Sequence, residues 1–164
     1  MSAEIQQREL IQELQEAARQ ARSSRELMIR IVEALHDRML KFNWAGFYML
    51  DLKDPGVLEL GPFVGAMTPH TRIPLHQGIC GAAASRGETV VVDDVNADPR
   101  YLACSIETQS EIVVPVFVRG NVVGELDIDS HFPAAFGSAD RALVESCASL
   151  LGEYLEKHPD EKYT

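Results

Sequence analysis

Apolar residues at three- and four-residue spacing dominate the first forty positions. Ile5, Leu10, Ile11, Leu14, Ala17, Ala18 and Ala21 recur among Glu, Gln and Arg, which predicts an amphipathic helix over 3–22. Ser23-Ser24-Arg25-Glu26 reads as a capping box, with Ser23 as cap and Glu26 three residues on. A second helix follows to about Leu40, with Leu27, Met28, Ile31, Val32, Leu35 and Met39 on its apolar face. At Asn43 the pattern turns to strands. Trp44 to Leu50 is one, Lys53-Asp54-Pro55-Gly56 is a turn, and Val57 to Val64 is the returning strand. Arg72 to Leu75 is a short extended piece, with Pro74 marking an edge or a strand end. The small-residue run Cys80-Gly81-Ala82-Ala83-Ala84 predicts a short, tightly packed helix over 78–86. Thr89 to Val92 is β-branched, and Asp93 to Ile106 is the longest irregular stretch. Glu111 to Val118 and Val122 to Asp129 flank a short hairpin connection, Arg119-Gly120-Asn121. A last helix starts near Ser138 as cap and presents Leu143, Val144, Cys147, Leu150, Leu151, Tyr154 and Leu155, with Gly152 a weak spot. This order predicts an α+β fold with a mainly antiparallel sheet.

Length and composition narrow the class. A chain of 164 residues suits one domain, 1–164, with N-terminal helices about 3–40, a sheet core about 43–130 and a C-terminal helix about 138–158. No apolar run approaches the ~20 residues that cross a bilayer, so no membrane role is expected. The net charge is −10 and no block of Lys or Arg occurs, which argues against nucleic acid as a partner. The start MSAEIQQREL is polar and does not read as a signal peptide. Three cysteines, an odd and sparse set, point to a reducing compartment such as the cytoplasm.

Those cysteines carry different expectations. Cys147 falls on an apolar helix stripe and reads as core. Cys104 lies in an irregular segment, where function concentrates. Cys80 sits among small residues, so packing explains it as well as chemistry does. No C-x-x-C or H-x-x-x-H spacing supports a metal, even with His70 and His76 on the approach to Cys80, and no metal or cofactor is expected. Asp127 and Asp129 are two apart and share a strand face. A hairpin turning at Gly120 sets Glu111 near Asp129, so three carboxylates gather at one end. They read either as a solvated strand end or as a site. Trp44 and Tyr48, four apart, likewise share a face, as a core pair or as an aromatic wall for a bound group.

The segments NWAGFY, GPFVG, RIPLHQGICGAAA, DDVNADPRYLAC, SEIVVPVF and VVGELDID together resemble the free methionine-(R)-sulfoxide reductase family of small GAF-domain proteins. The resemblance runs from about Asn43 to Ser130 and implies a GAF fold, with five to six strands flanked by N- and C-terminal helices. It implies reduction of free L-methionine-(R)-sulfoxide, with Cys104 as nucleophile and Cys80 as a possible resolving thiol. It also implies Glu111, Asp127 and Asp129 as acid and ammonium-binding groups, and Trp44 and Tyr48 around the substrate. A thioredoxin-like or small-thiol reductant and a homodimer go with that reading. Two positions depart from the family pattern: His70 stands where members carry another cysteine, and Ser105 where they carry Asp. The alternative is a non-catalytic GAF domain that binds a small molecule or senses redox state.

Overall fold

A computed structural model describes residues 2–102 and 105–163. The helices lie close to where the periodicity puts them: α1 is Ala3–Gln20 and α2 is Ser24–Arg38. The Ser23 hydroxyl accepts from the Glu26 backbone N–H at 3.0 Å. The Glu26 carboxylate reaches back one residue further than a capping box requires, accepting from the Arg22 N–H at 3.0 Å.

The strands are β1 (Trp44–Leu50), β2 (Val57–Val64) and β3 (Arg72–Pro74), followed by helix α3 (Gly78–Arg86) and β4 (Val90–Val92). Among its described residues, the stretch expected to be irregular contains one 3₁₀ turn, Val95–Ala97. Strands β5 (Ser110–Val118) and β6 (Asn121–Ser130) follow, then helix α4 (Ser138–Lys157). Ser138 proves to be the first helical residue rather than the cap. Gly137 occupies that position, and its N–H is held by the Asp140 carboxylate at 3.0 Å.

All six strands form one antiparallel sheet in the order β3-β2-β1-β6-β5-β4. Strand β3 is an edge, as Pro74 suggests, and covers β2 only over Val57 to Glu59. Pro62 lies at the bulge of the β1–β2 ladder, between the Gly46–Phe63 and Tyr48–Leu60 pairs, where a missing N–H is tolerated. The long hairpin closes with Val118 opposite Asn121, so its loop is two residues, Arg119 and Gly120.

Strand alternation sorts side chains onto two faces. Ala45, Phe47, Met49, Ile112, Val114, Leu126 and Ile128 turn to one face and make the larger core with α1, α2 and α4. Helix α4 lies on β5, α2 on β1 and β2, and α1 against α4. The opposite face carries Trp44, Tyr48, Val113 and the acidic residues, and is covered by α3 and the segment around Val95. Cys147 is fully buried in the larger core, where burial alone pushes its pKa up to about 12.

Candidate active site

The α3-covered face gathers acids from the two longest strands. On β6 the alternate positions Glu125, Asp127 and Asp129 point the same way. Glu111 on β5 pairs directly with Asp129, and Val113 with Asp127. Strand β6 lies between β1 and β5, so these carboxyls are walled by neighbours on both sides. None of them is solvated: Glu111 is 5% exposed, Glu125 0%, Asp127 2% and Asp129 3%. The strand-end reading is therefore overturned, and central placement in the sheet is the reason.

Burial of charge raises all four pKa values. For Glu111 burial comes first, and the negative charges of Asp127 and Asp129 add to it. Burial also lifts Asp127 and Asp129, partly offset by hydrogen bonds from Glu111. Burial and mutual repulsion thus favour protons on this trio, which titrates as one coupled set. Glu125 is raised by burial, and neither of its carboxyl oxygens has a hydrogen-bond partner. Oδ1 of Asp127 and Oδ1 of Asp129 are likewise without one. Burying four carboxyls with this many orphaned oxygens costs stability.

Helix α3 brings Cys80 down onto this floor. Its Sγ donates to Oδ2 of Asp127 at 3.4 Å. Burial, then the negative charges of Asp127, Glu125 and Glu111, push its thiol well above the ordinary range. Left alone, this cysteine is held as a thiol.

The aromatic residues form the adjoining wall. The Trp44 and Tyr48 rings stack with centroids 6.3 Å apart, and Phe63 continues the stack at 5.5 Å from Trp44. The indole N–H donates to the Ala66 carbonyl at 3.0 Å, and the Tyr48 hydroxyl to the His70 carbonyl at 2.7 Å. Gly46 sits between them on β1 opposite Asp127, and a Cβ there would run into the Trp44 ring. The glycine is what lets the indole lie across the strand.

Two small spaces open at this floor. An outer one of about 80 Å³ is lined by Trp44, Asp129, Thr68, Ser105, Thr108 and His131 among others. An inner one of about 10 Å³ is lined by Cys80, Glu111, Asp127, Tyr48 and Leu102 among others. His131 Nε2 lies 3.5 Å from the Glu107 carboxylate at the outer rim.

The structure therefore brings together Cys80, Glu111, Asp127, Asp129, Trp44 and Tyr48, six of the residues expected from sequence. Cys104 lies outside the described residues. Glu125 is the residue the sequence reading missed, although it continues the two-residue period of Asp127 and Asp129. His131, directly after the strand, was also passed over.

The GAF domain family matches residues 23–155. The free methionine-R-sulfoxide reductase of Saccharomyces cerevisiae is 41% identical over 112 residues, 68% of this chain and 62% of that protein. The Escherichia coli protein of the same name is 34% identical over 129 residues, 79% of this chain and 76% of that one. The crystal structure of the Neisseria meningitidis free methionine-R-sulfoxide reductase in complex with its substrate superposes with a TM-score of 0.89 at 32% identity, covering 97% of this chain and 95% of that one. The chain belongs to the GAF-domain family and, within it, to the free methionine-(R)-sulfoxide reductases.

Proposed function

We propose that this protein reduces free L-methionine-(R)-sulfoxide to methionine, with Cys104 as nucleophile. The observation that supports it most is the buried carboxyl cluster set against the Trp44–Tyr48 wall. A free amino acid brings an ammonium group that Asp127 and Asp129 can bind, and an S-methyl end that suits the aromatic rings. A peptide-bound residue lacks that ammonium. Leu102 and Ser105, the described residues nearest Cys104 in sequence, line the inner and outer spaces respectively.

The Cys104 thiolate attacks the sulfoxide sulfur, and the S–O bond breaks. The departing oxygen needs a proton, and Glu111, whose protonated form is favoured by burial and by its acidic neighbours, serves as the general acid. The oxygen leaves as water, a water molecule then attacks the Cys104 sulfur of the Cys104–sulfonium adduct, and the S–S bond breaks to release methionine and leave Cys104 as a sulfenic acid. A second thiol condenses with it, giving a disulfide and one water. Cys80 fills that role in this reading, and a thioredoxin-like dithiol or a small thiol then reduces the pair. The protein acts in the cytoplasm as a homodimer in the same proposal.

The test is methionine formation from the separate R and S sulfoxides by the wild type and by Cys104→Ser, Cys80→Ser and Glu111→Gln. Turnover of the R isomer that disappears in Cys104→Ser is the expected result. Undiminished turnover in Cys104→Ser overturns the assignment, and undiminished thioredoxin-dependent turnover in Cys80→Ser removes Cys80 from recycling. His70, in the place of the family's further cysteine, favours a second reading: a GAF domain that binds an amino-acid-like ligand, or senses redox state, without turnover. Ligand binding with no methionine formed selects that reading.

A further inference from the structure

The inner space is the wrong size for an amino-acid side chain. At about 10 Å³ it holds roughly one water-sized sphere. Its walls include Cys80, Glu111 and Asp127. One donor atom from each, a sulfur and two carboxylate oxygens, lies within 4.8 Å of the others, and all three residues are buried. Tetrahedral coordination at ~2.0–2.3 Å from the metal sets donors roughly 3.3–3.8 Å apart, which the 3.4 Å between the Cys80 sulfur and Oδ2 of Asp127 matches. A second feature points the same way. Glu125 is fully buried beside Cys80 with both oxygens unpartnered, and Oδ1 of Asp127 is also unpartnered. Asp127 lines the inner space, and Glu125 acts directly on the Cys80 thiol, so these oxygens stand next to a cation that Cys80 would bind.

We propose that the inner space is a binding site for one thiophilic divalent cation of the zinc class, held by Cys80, Glu111 and Asp127 with Glu125 completing the set. A sulfur donor selects against magnesium and calcium, which prefer oxygen alone. The ligands come from three elements, α3, β5 and β6, so no spacing along the chain announces the site. The cation binds as the Cys80 thiol loses its proton to solvent. It also occupies the Glu111 carboxylate and the Cys80 sulfur, so on the reductase reading an occupied site is an inhibited one.

Cadmium is the probe, because its bond to a thiolate produces a near-ultraviolet absorption band. Metal-free, reduced Cys104→Ser protein is titrated with Cd²⁺, so that Cys80 and the core thiol Cys147 are the cysteines present. One equivalent is expected to saturate the band, Zn²⁺ to displace it, and a thousandfold excess of Mg²⁺ to leave it intact. Cys80→Ser on the same background is expected to abolish it. Glu125→Gln and Asp127→Asn keep the thiol and are each expected to weaken binding at least tenfold, which covers the case of a Cys80→Ser protein that fails to fold. A missing band, or one that persists without Cys80, overturns the site. In the wild type, the same Zn²⁺ concentrations are expected to suppress sulfoxide turnover. Metal-free protein that turns over no sulfoxide counts against the reductase reading, and the absorption band still decides the cation site.

Discussion

Glu125 shows how one position changes the account of the whole floor. Its neutral, protonated form is favoured in the folded chain, because burial penalises the charge. In the unfolded chain it ionises near ~4.3. Between that value and its raised folded value, the native state binds more protons than the unfolded one. Stability therefore falls as pH rises through this window, by at most about 1.4 kcal/mol per pH unit for one group. Glu125→Gln removes that dependence while keeping the shape. In the presence of a chelator, the variant is expected to match the wild type at pH 4 and to exceed it by about 1 kcal/mol or more at pH 8. Urea denaturation at the two pH values measures this, and an unchanged difference between them refutes it. The residue was within reach of sequence reasoning, since VVGELDID places acids at three alternate positions. What could not be read from it was burial: an alternating acidic strand usually faces water.

Among the elements, the packing of α4 on β5 depends on Gly152. Sequence propensity marks this glycine as a weak spot in the helix. A Cβ at that position would collide with the Phe117 carbonyl oxygen, so the glycine is the point where helix and strand come together. Gly152→Ala gains helix propensity yet is expected to destabilise the fold by about 1–3 kcal/mol through overpacking. Thermal unfolding is expected to show a drop of roughly 3–10 °C, and an increase would show that the contact relaxes freely. The β1 glycine makes the parallel case within the site. Gly46→Ala pushes the Trp44 ring off its strand. On the reductase reading this is expected to raise KM for the sulfoxide severalfold with a smaller change in kcat. Equal losses in both would mean that the indole acts at the chemical step.

On the scale of the whole molecule, the sheet keeps two chemistries apart. One face is an apolar core against three helices, and the other is an acidic floor beneath α3. Cys147 belongs to the first and Cys80 to the second. Alkylation of Cys147 is expected only through global opening, because the thiol is buried and its pKa stands at about 12. Mass spectrometry under native conditions should find Cys147 unmodified over a period in which denatured protein is fully labelled. Prompt labelling of the folded protein would contradict its core placement. Among the described residues no helix is long and apolar enough to cross a membrane.

The sequence by itself determined the succession of helices and strands, the sharing of faces by Asp127 with Asp129 and by Trp44 with Tyr48, and the pairing of Glu111 with Asp129. All of these follow from local periodicity and from one tight hairpin, which act over a few residues. The tertiary structure decided that β6 lies at the middle of the sheet and that α3 closes over it. Only that placement buries four carboxyls, raises their pKa values and sets the Cys80 sulfur 3.4 Å from Asp127. The reason is physical: desolvation and charge crowding depend on what surrounds a group in space, and those neighbours come from strands and a helix far apart along the chain.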